Sequence, residues 1–135
     1  VDGKGSGSAT AAEKVCAEIA AAGGQAVPNG DSVADPAGAE RMVKAAVENF
    51  GRIDGVINNA GILRDRMLVN MSEDEWDAVI KVHLKGTFAP ARHAAAYWRD
   101  QAKLKGGPVD ARIITTTWML YFDDIRPEVS QHLSR

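Results

Sequence analysis

Gly51-Arg52-Ile53-Asp54-Gly55-Val56-Ile57-Asn58-Asn59-Ala60-Gly61-Ile62 is the stretch around which this chain is organised. Residues 53–57 form a short apolar run with β-branched side chains between glycines, the pattern of a buried strand in a parallel sheet. The run stops at Asn58-Asn59-Ala60-Gly61. Small residues at that point let a flat ligand come close to the backbone, and the amides supply donors and acceptors. Ligands of open α/β sheets bind outside the carboxyl ends of the strands. Asn and Gly also close strands in plain polar turns, so the residues by themselves leave both readings open.

Helical patterns flank this strand on both sides. Asp35-Pro36 supplies an N-cap and a proline for the first turn. Ala39, Met42, Val43, Ala46, Val47 and Phe50 then recur at helical spacing, and Gly51 ends the helix. On the far side, Ser72 and Glu75 form a capping box that opens the longest expected helix. Trp76, Val79, Ile80, His83, Leu84 and Phe88 share its apolar face as core or interface, and the helix fades over residues 101–107. Residues 111–117 are a second β-branched run. Strand, helix and strand joined tightly are the signature of a parallel α/β sheet.

Nearer the amino end, Thr10-Ala11-Ala12-Glu13 fits a capping box. Ala11, Val15 and Ile19 with Ala12, Cys16 and Ala20 make one apolar face, and Gly23-Gly24 stops that helix. Cys16 reads as a small core hydrophobe. Residues 25–28 are too few for periodicity to decide. Gly3, Gly5 and Gly7 fail as a phosphate loop because no strand precedes them, and a flexible loop is expected there.

At 135 residues the chain fits one domain. A net charge of -2 gives no basic footprint for nucleic acid and no polybasic patch for a membrane surface. No apolar run approaches the roughly 20 residues of a membrane span, and the start, Val1-Asp2-Gly3-Lys4, lacks a signal-peptide pattern. One cysteine cannot form an internal disulfide, so a reducing, cytoplasmic setting is expected. The three histidines and Cys16 lack metal-ligand spacing, and no serine sits in a nucleophile elbow.

Three segments together resemble the short-chain dehydrogenases/reductases: Gly30-Asp31-Ser32-Val33, Asn58 to Gly61 with Ile62-Leu63-Arg64-Asp65, and Val82-His83-Leu84-Lys85-Gly86-Thr87-Phe88. More narrowly, they are similar to the (3R)-hydroxyacyl-CoA dehydrogenase domain of peroxisomal multifunctional enzyme type 2 and its bacterial relatives. The likeness spans roughly residues 5–117, and the combination is far more specific than any one motif. It implies a partial Rossmann-type three-layer α/β sandwich over residues 1–117, with residues 118–135 as an unmatched tail. Residues 25–28 become the third strand and 111–117 the fifth. NAD or NADP is implied as cofactor, with Asp31 at its adenine and Ser32, Val33, Asn59, Ala60 and Gly61 among the residues that bind it. Without the family, Asp31 is a turn residue.

The resemblance also assigns a reaction. It implies oxidoreduction of a secondary alcohol or ketone, most plausibly a 3-hydroxyacyl thioester, in a homo-oligomer paired through long helices. His83 stands where many members carry an asparagine that supports the catalytic site through the backbone and a bound water. A histidine can hold such a water; a helix histidine with a locally satisfied ring is the bland reading. Arg64 or Arg66 could meet an anionic substrate group, or be solvated surface charge.

The likeness stops at Thr117. Where the family places a catalytic serine and then a Tyr-x-x-x-Lys pair, this chain has Trp118-Met119-Leu120-Tyr121-Phe122-Asp123-Asp124-Ile125. That lysine lowers the tyrosine's pKa so that it can exchange a proton with the substrate oxygen as hydride moves. The family's first two strands and its Thr-Gly-x-x-x-Gly-x-Gly turn also have no counterpart. Two expectations follow. The chain is a central piece of a dehydrogenase, inactive alone, or a short binding or oligomerisation module whose aromatic tail covers an open sheet edge.

Overall fold

Asp35 caps the helix that precedes the central strand: its carboxylate oxygens accept from Ala37 N at 3.1 Å and Gly38 N at 3.0 Å. Pro36 follows in the first turn, and Gly51, at φ 76°, closes the far end by donating to Val47 O. A computed structural model describes residues 9–116 of the chain, and its elements follow in order. Helix α1 is Ala9–Ala21, α2 is Pro36–Phe50, and strand β1 is Gly55–Asn58. A short 3-10 turn at Leu68–Asn70 leads to α3 (Glu73–Ile80), a π turn (Lys81–Lys85), α4 (Gly86–Lys105) and strand β2 (Arg112–Thr115).

The two strands pair in parallel, Gly55 beside Arg112 through Asn58 beside Thr115. Helices α2 and α4 pack on each other, and α4 lies on β1. Trp98 in α4 fastens the start of the strand, its indole N–H donating to Ile53 O at 2.7 Å. The described residues thus supply the sheet and one helical layer of a partial Rossmann-type α/β fold. Among the described residues the buried apolar ones are Ala39, Val43, Val79, Ala89 and Ala94, and no large side chain is fully buried.

Four expectations are corrected. Residues 25–28 form no strand, because a strand needs a hydrogen-bonded neighbour and no described strand lies beside them. The central strand is parallel but not buried on both faces: Asn58 is 8% exposed and Ile57 is 67% exposed. The alternating side chains explain this, since Val56 and Asn58 face the helices while Ile57 and its neighbour Ile114 face away. Helix α1 keeps its apolar stripe in the open, with Val15 exposed and Cys16 half-buried instead of in a core.

The fourth correction concerns the long helix. The Ser72–Glu75 capping box is present, each side chain bonded to the other's backbone N–H. The helix it opens gives way to a π turn after Ile80 and resumes as the longer α4. Val79 is buried, whereas Trp76, Leu84 and Phe88 are exposed. Pro90 follows one turn after the π segment and lacks the N–H that would bond Gly86 O, so irregular backbone gathers there. The side chain of Thr10 and the expected features at residues 1–8 and 117–135 lie outside the described residues.

Candidate functional site

At the carboxyl end of β1 the two strands are tied by Thr116. Its N–H donates to Asn58 O at 3.0 Å. Its hydroxyl lies 3.0 Å from that same carbonyl and 2.8 Å from Asn59 Oδ1, and donates to either. This holds the Asn59 amide at the mouth of the strand. Asn58 is buried, and its Nδ2 has no partner among the described residues.

A cavity of about 220 Å³ opens beside this strand end. Asn58, Asn59 and Ala60 line one side, Gly86, Thr87 and Pro90 of α4 another, and Val33 with Met42 and Val43 of α2 the third. Val33 reaches the site because position 86 is glycine: a methyl group there would sit 2.8 Å from Val33 Cγ2. Gly38 does the same for the preceding loop, since a methyl group would lie 2.7 Å from Ser32 O. The 31–33 loop is therefore seated through close backbone approach to two helices.

Of the six residues expected along a cofactor, Val33, Asn59 and Ala60 share this cavity. Asp31, Ser32 and Gly61 adjoin it in sequence without lining it. Asp31 is held elsewhere: Arg41 Nε donates to Oδ1 at 2.8 Å and Asn29 Nδ2 to Oδ2 at 3.2 Å. The Arg41 hydrogen bond, aided by Asn29 and outweighing partial burial, holds the carboxyl below its ordinary range. Ser32 uses its hydroxyl to accept from Ala34 N at 3.3 Å.

His83 lies in the π turn, and its Nε2 sits 3.1 Å from Ile62 N and 2.9 Å from Ile62 O. One tautomer accepts from the N–H and the other donates to the carbonyl. Either way the ring pins the loop that leaves Gly61 to the start of α4. The carbonyl of His83 accepts from Thr87 Oγ1 at 2.6 Å. Arg66 Nε donates to Glu75 at 2.6 Å and Arg64 to Leu63 O at 3.0 Å, so both arginines are engaged locally.

Sequence reasoning missed Thr87, Pro90 and Thr116. A threonine in a β-branched run or a proline on a helical face carries no spacing signal of a site. Among the described residues no group of three His, Cys, Asp or Glu stands ready for a metal, and no helix is long and apolar enough to cross a membrane.

Known proteins are similar to this chain. The chain is 49% identical over 106 residues to hydroxyacyl-CoA dehydrogenase ChsB1 of Mycobacterium tuberculosis, covering 78% of this chain and 33% of that one. It is 52% identical over 99 residues to the peroxisomal multifunctional enzyme type 2 of Mus musculus, covering 73% of this chain and 13% of that one. A short chain dehydrogenase of Mycobacterium avium superimposes with a TM-score of 0.73 at 56% identity, over 78% of this chain and 36% of that one. The chain thus spans about a third of the length of the two mycobacterial relatives and 13% of the multifunctional one. The narrower likeness read from the sequence holds, and the family model for short chain dehydrogenases matches residues 6–117. The chain belongs to the short chain dehydrogenase family.

Proposed function

We propose that this chain carries the strand-end part of the cofactor site of an NAD- or NADP-dependent oxidoreductase acting on a 3-hydroxyacyl thioester or a similar secondary alcohol. The observation that carries the reading is the cavity in which Asn59, Ala60 and Val33 face Thr87 across the end of β1. Backbone and small side chains there suit a flat dinucleotide, and the position agrees with where open α/β sheets bind their ligands. The substrate follows from the names of the relatives, ChsB1 and the multifunctional enzyme among them. Asp31, already bonded to Arg41, is assigned to the adenine amino group through Oδ2, whose present partner Asn29 is the longer contact. Ser32 and Gly61 border the bound cofactor.

His83 acts in this reading as a positioning residue, holding the backbone of Ile62 beside the cofactor loop. Residues 1–117 make up the dehydrogenase part, and the likeness to the family does not extend into 118–135. The chain supplies no Ser and Tyr-x-x-x-Lys set, so the 135 residues alone bind dinucleotide weakly and transfer no hydride. The intact protein is a homo-oligomer in a reducing compartment such as the cytoplasm, with a small-molecule substrate and no nucleic acid or membrane partner.

The test is a titration of the isotope-labelled chain with millimolar NAD and NADP, read by amide shifts. Shifts gathered at Val33 and at Asn59 to Gly61 are expected. Shifts elsewhere, or none, defeat the site. Reduction of either dinucleotide by the purified chain with a 3-hydroxyacyl-CoA would overturn the inactivity. The exposure of Ile57 and Ile114 favours a second reading, in which the chain serves as a binding or oligomerisation module.

A further inference from the structure

We propose that Arg41 is a positioning residue that sets the base preference of the nucleotide site, by turning Asp31 so that a single carboxylate oxygen is offered to the 6-amino group of the purine. The inference rests on the assignment of Asp31 to adenine made above and adds the residue that acts through it. Arg41 stands in the second turn of α2, a helix fixed at its start by the Asp35 cap. Asp31 lies in the loop ahead of that helix. The loop closes onto α2 because position 38 is glycine, where a methyl group would stand 2.7 Å from Ser32 O and 3.4 Å from Asp31 Cβ.

Arg41 Nε donates to Asp31 Oδ1 at 2.8 Å, and a terminal nitrogen of the same guanidinium donates to that oxygen again. This terminal nitrogen also stands 3.6 Å from Asp35 Oδ2, so the guanidinium is held between the loop and the cap. Oδ1 is thereby closed to a ligand. Oδ2 meets the Asn29 amide at 3.2 Å, a neutral donor at longer range. Two bonds from a cation outweigh one from a neutral amide, so the carboxylate turns as Arg41 directs. The side chain of Asp31 is 20% exposed, which leaves water little access to compete for Oδ2. Arg41 also keeps the carboxyl ionised, so Oδ2 can only accept. Such an oxygen takes the N–H of a 6-amino purine and repels the oxygen of a 6-oxo purine, which is selection by attraction and repulsion together.

A guanidinium has donors and no acceptor, so it orients whatever replaces the carboxylate. In Asp31→Asn the new amide must turn its oxygen to Arg41 and its NH2 to the base. The Asn29 NH2 opposes that turn, but with one neutral contact against two from a cation. The preference should then invert, from the 6-amino purine to the 6-oxo purine. An ion pair that merely tacks the loop to α2 predicts no inversion.

The labelled 135-residue chain is titrated with adenosine monophosphate and with inosine monophosphate, which carry an amino group and an oxygen at the same ring position. Binding is read from the Ser32 and Val33 amides. The unaltered chain should favour the adenine nucleotide by about fivefold, the worth of one hydrogen bond. Asp31→Asn should favour the inosine nucleotide. Arg41→Gln should bring the two affinities together, and Arg41→Lys should restore part of the difference, since a lysine keeps the charge without the fork. Arg41→Gln that weakens both nucleotides alike and keeps their ratio would overturn the proposal. So would Asp31→Asn without inversion, a measurement that leaves Arg41 in place and decides the matter even if Arg41→Gln does not fold. Equal binding of the two nucleotides by the unaltered chain, or no binding, would instead remove adenine from Asp31, and the role of Arg41 falls with that assignment.

Discussion

Asn58 and His83 show opposite fates for a polar side chain inside this fold. Asn58 is buried with a donor unanswered among the described residues, and such a group costs about 1–3 kcal/mol when nothing replaces its water. Asn58→Leu, similar in volume and without the donor, should therefore stabilise the free chain by about 1 kcal/mol in urea unfolding. His83 answers a backbone group instead. His83→Ala leaves Ile62 without its ring partner, and a lost hydrogen bond of about 1 kcal/mol speeds local opening several-fold. Faster hydrogen exchange at the Ile62 amide, with the amides of β1 unchanged, is the expected result. At this scale the sequence was readable where a residue type has one usual job. Asp35, Ser72 and Glu75 cap as their spacing says. Asp31 was not readable in this way, because its partner Arg41 lies ten positions on and only the folded loop joins them.

Elements were legible from local pattern and obscure wherever a neighbour decides. Helix α2 could be placed from Asp35-Pro36 at one end and Gly51 at the other, both of them local signals. The π turn at Lys81–Lys85 was not visible, since its residues continue the apolar spacing of an ordinary helix. Residues 25–28 failed as a strand for the converse reason: extended backbone becomes a strand only beside another. The start of α3 makes a prediction about pH. Glu75 has its carboxyl held below its ordinary value, first by the Ser72 backbone N–H and then by Arg66. A carboxyl lowered on folding contributes stability above its unfolded pKa and loses it as pH falls through the folded one. The capping box should thus loosen as pH falls below the ordinary carboxylate range. Glu75→Gln should flatten that part of the acid limb in circular dichroism, and an unchanged limb would rule the box out as its source.

The whole molecule has little to hold it. Among the described residues the buried apolar ones are alanines and valines, and sheet residues Ile57 and Ile114 stand 67% and 52% exposed on the face no described element covers. Folding margins of about 5–15 kcal/mol rarely survive such exposure in a chain of this size. The isolated chain should be poorly stable or associated, with a broad or concentration-dependent urea transition. Lys in place of both Ile57 and Ile114 should reduce association measured by sedimentation. A sharp two-state transition in a monomeric sample would contradict this. The parallel α/β fold was legible from two β-branched runs flanking helical patterns. The bareness of the sheet was not, because an apolar strand reads the same whether or not its second face is covered.

Trp98 gives this molecule an optical gauge. Its indole donates to the carbonyl just ahead of β1, so its emission reports whether the long helix still grips the strand. With Trp76 and Trp118 replaced by Phe, one emitter of the three remains. Quenching by iodide then distinguishes a sheet that sheds its helix from a chain that unravels at its ends, since only the first opens that indole to water.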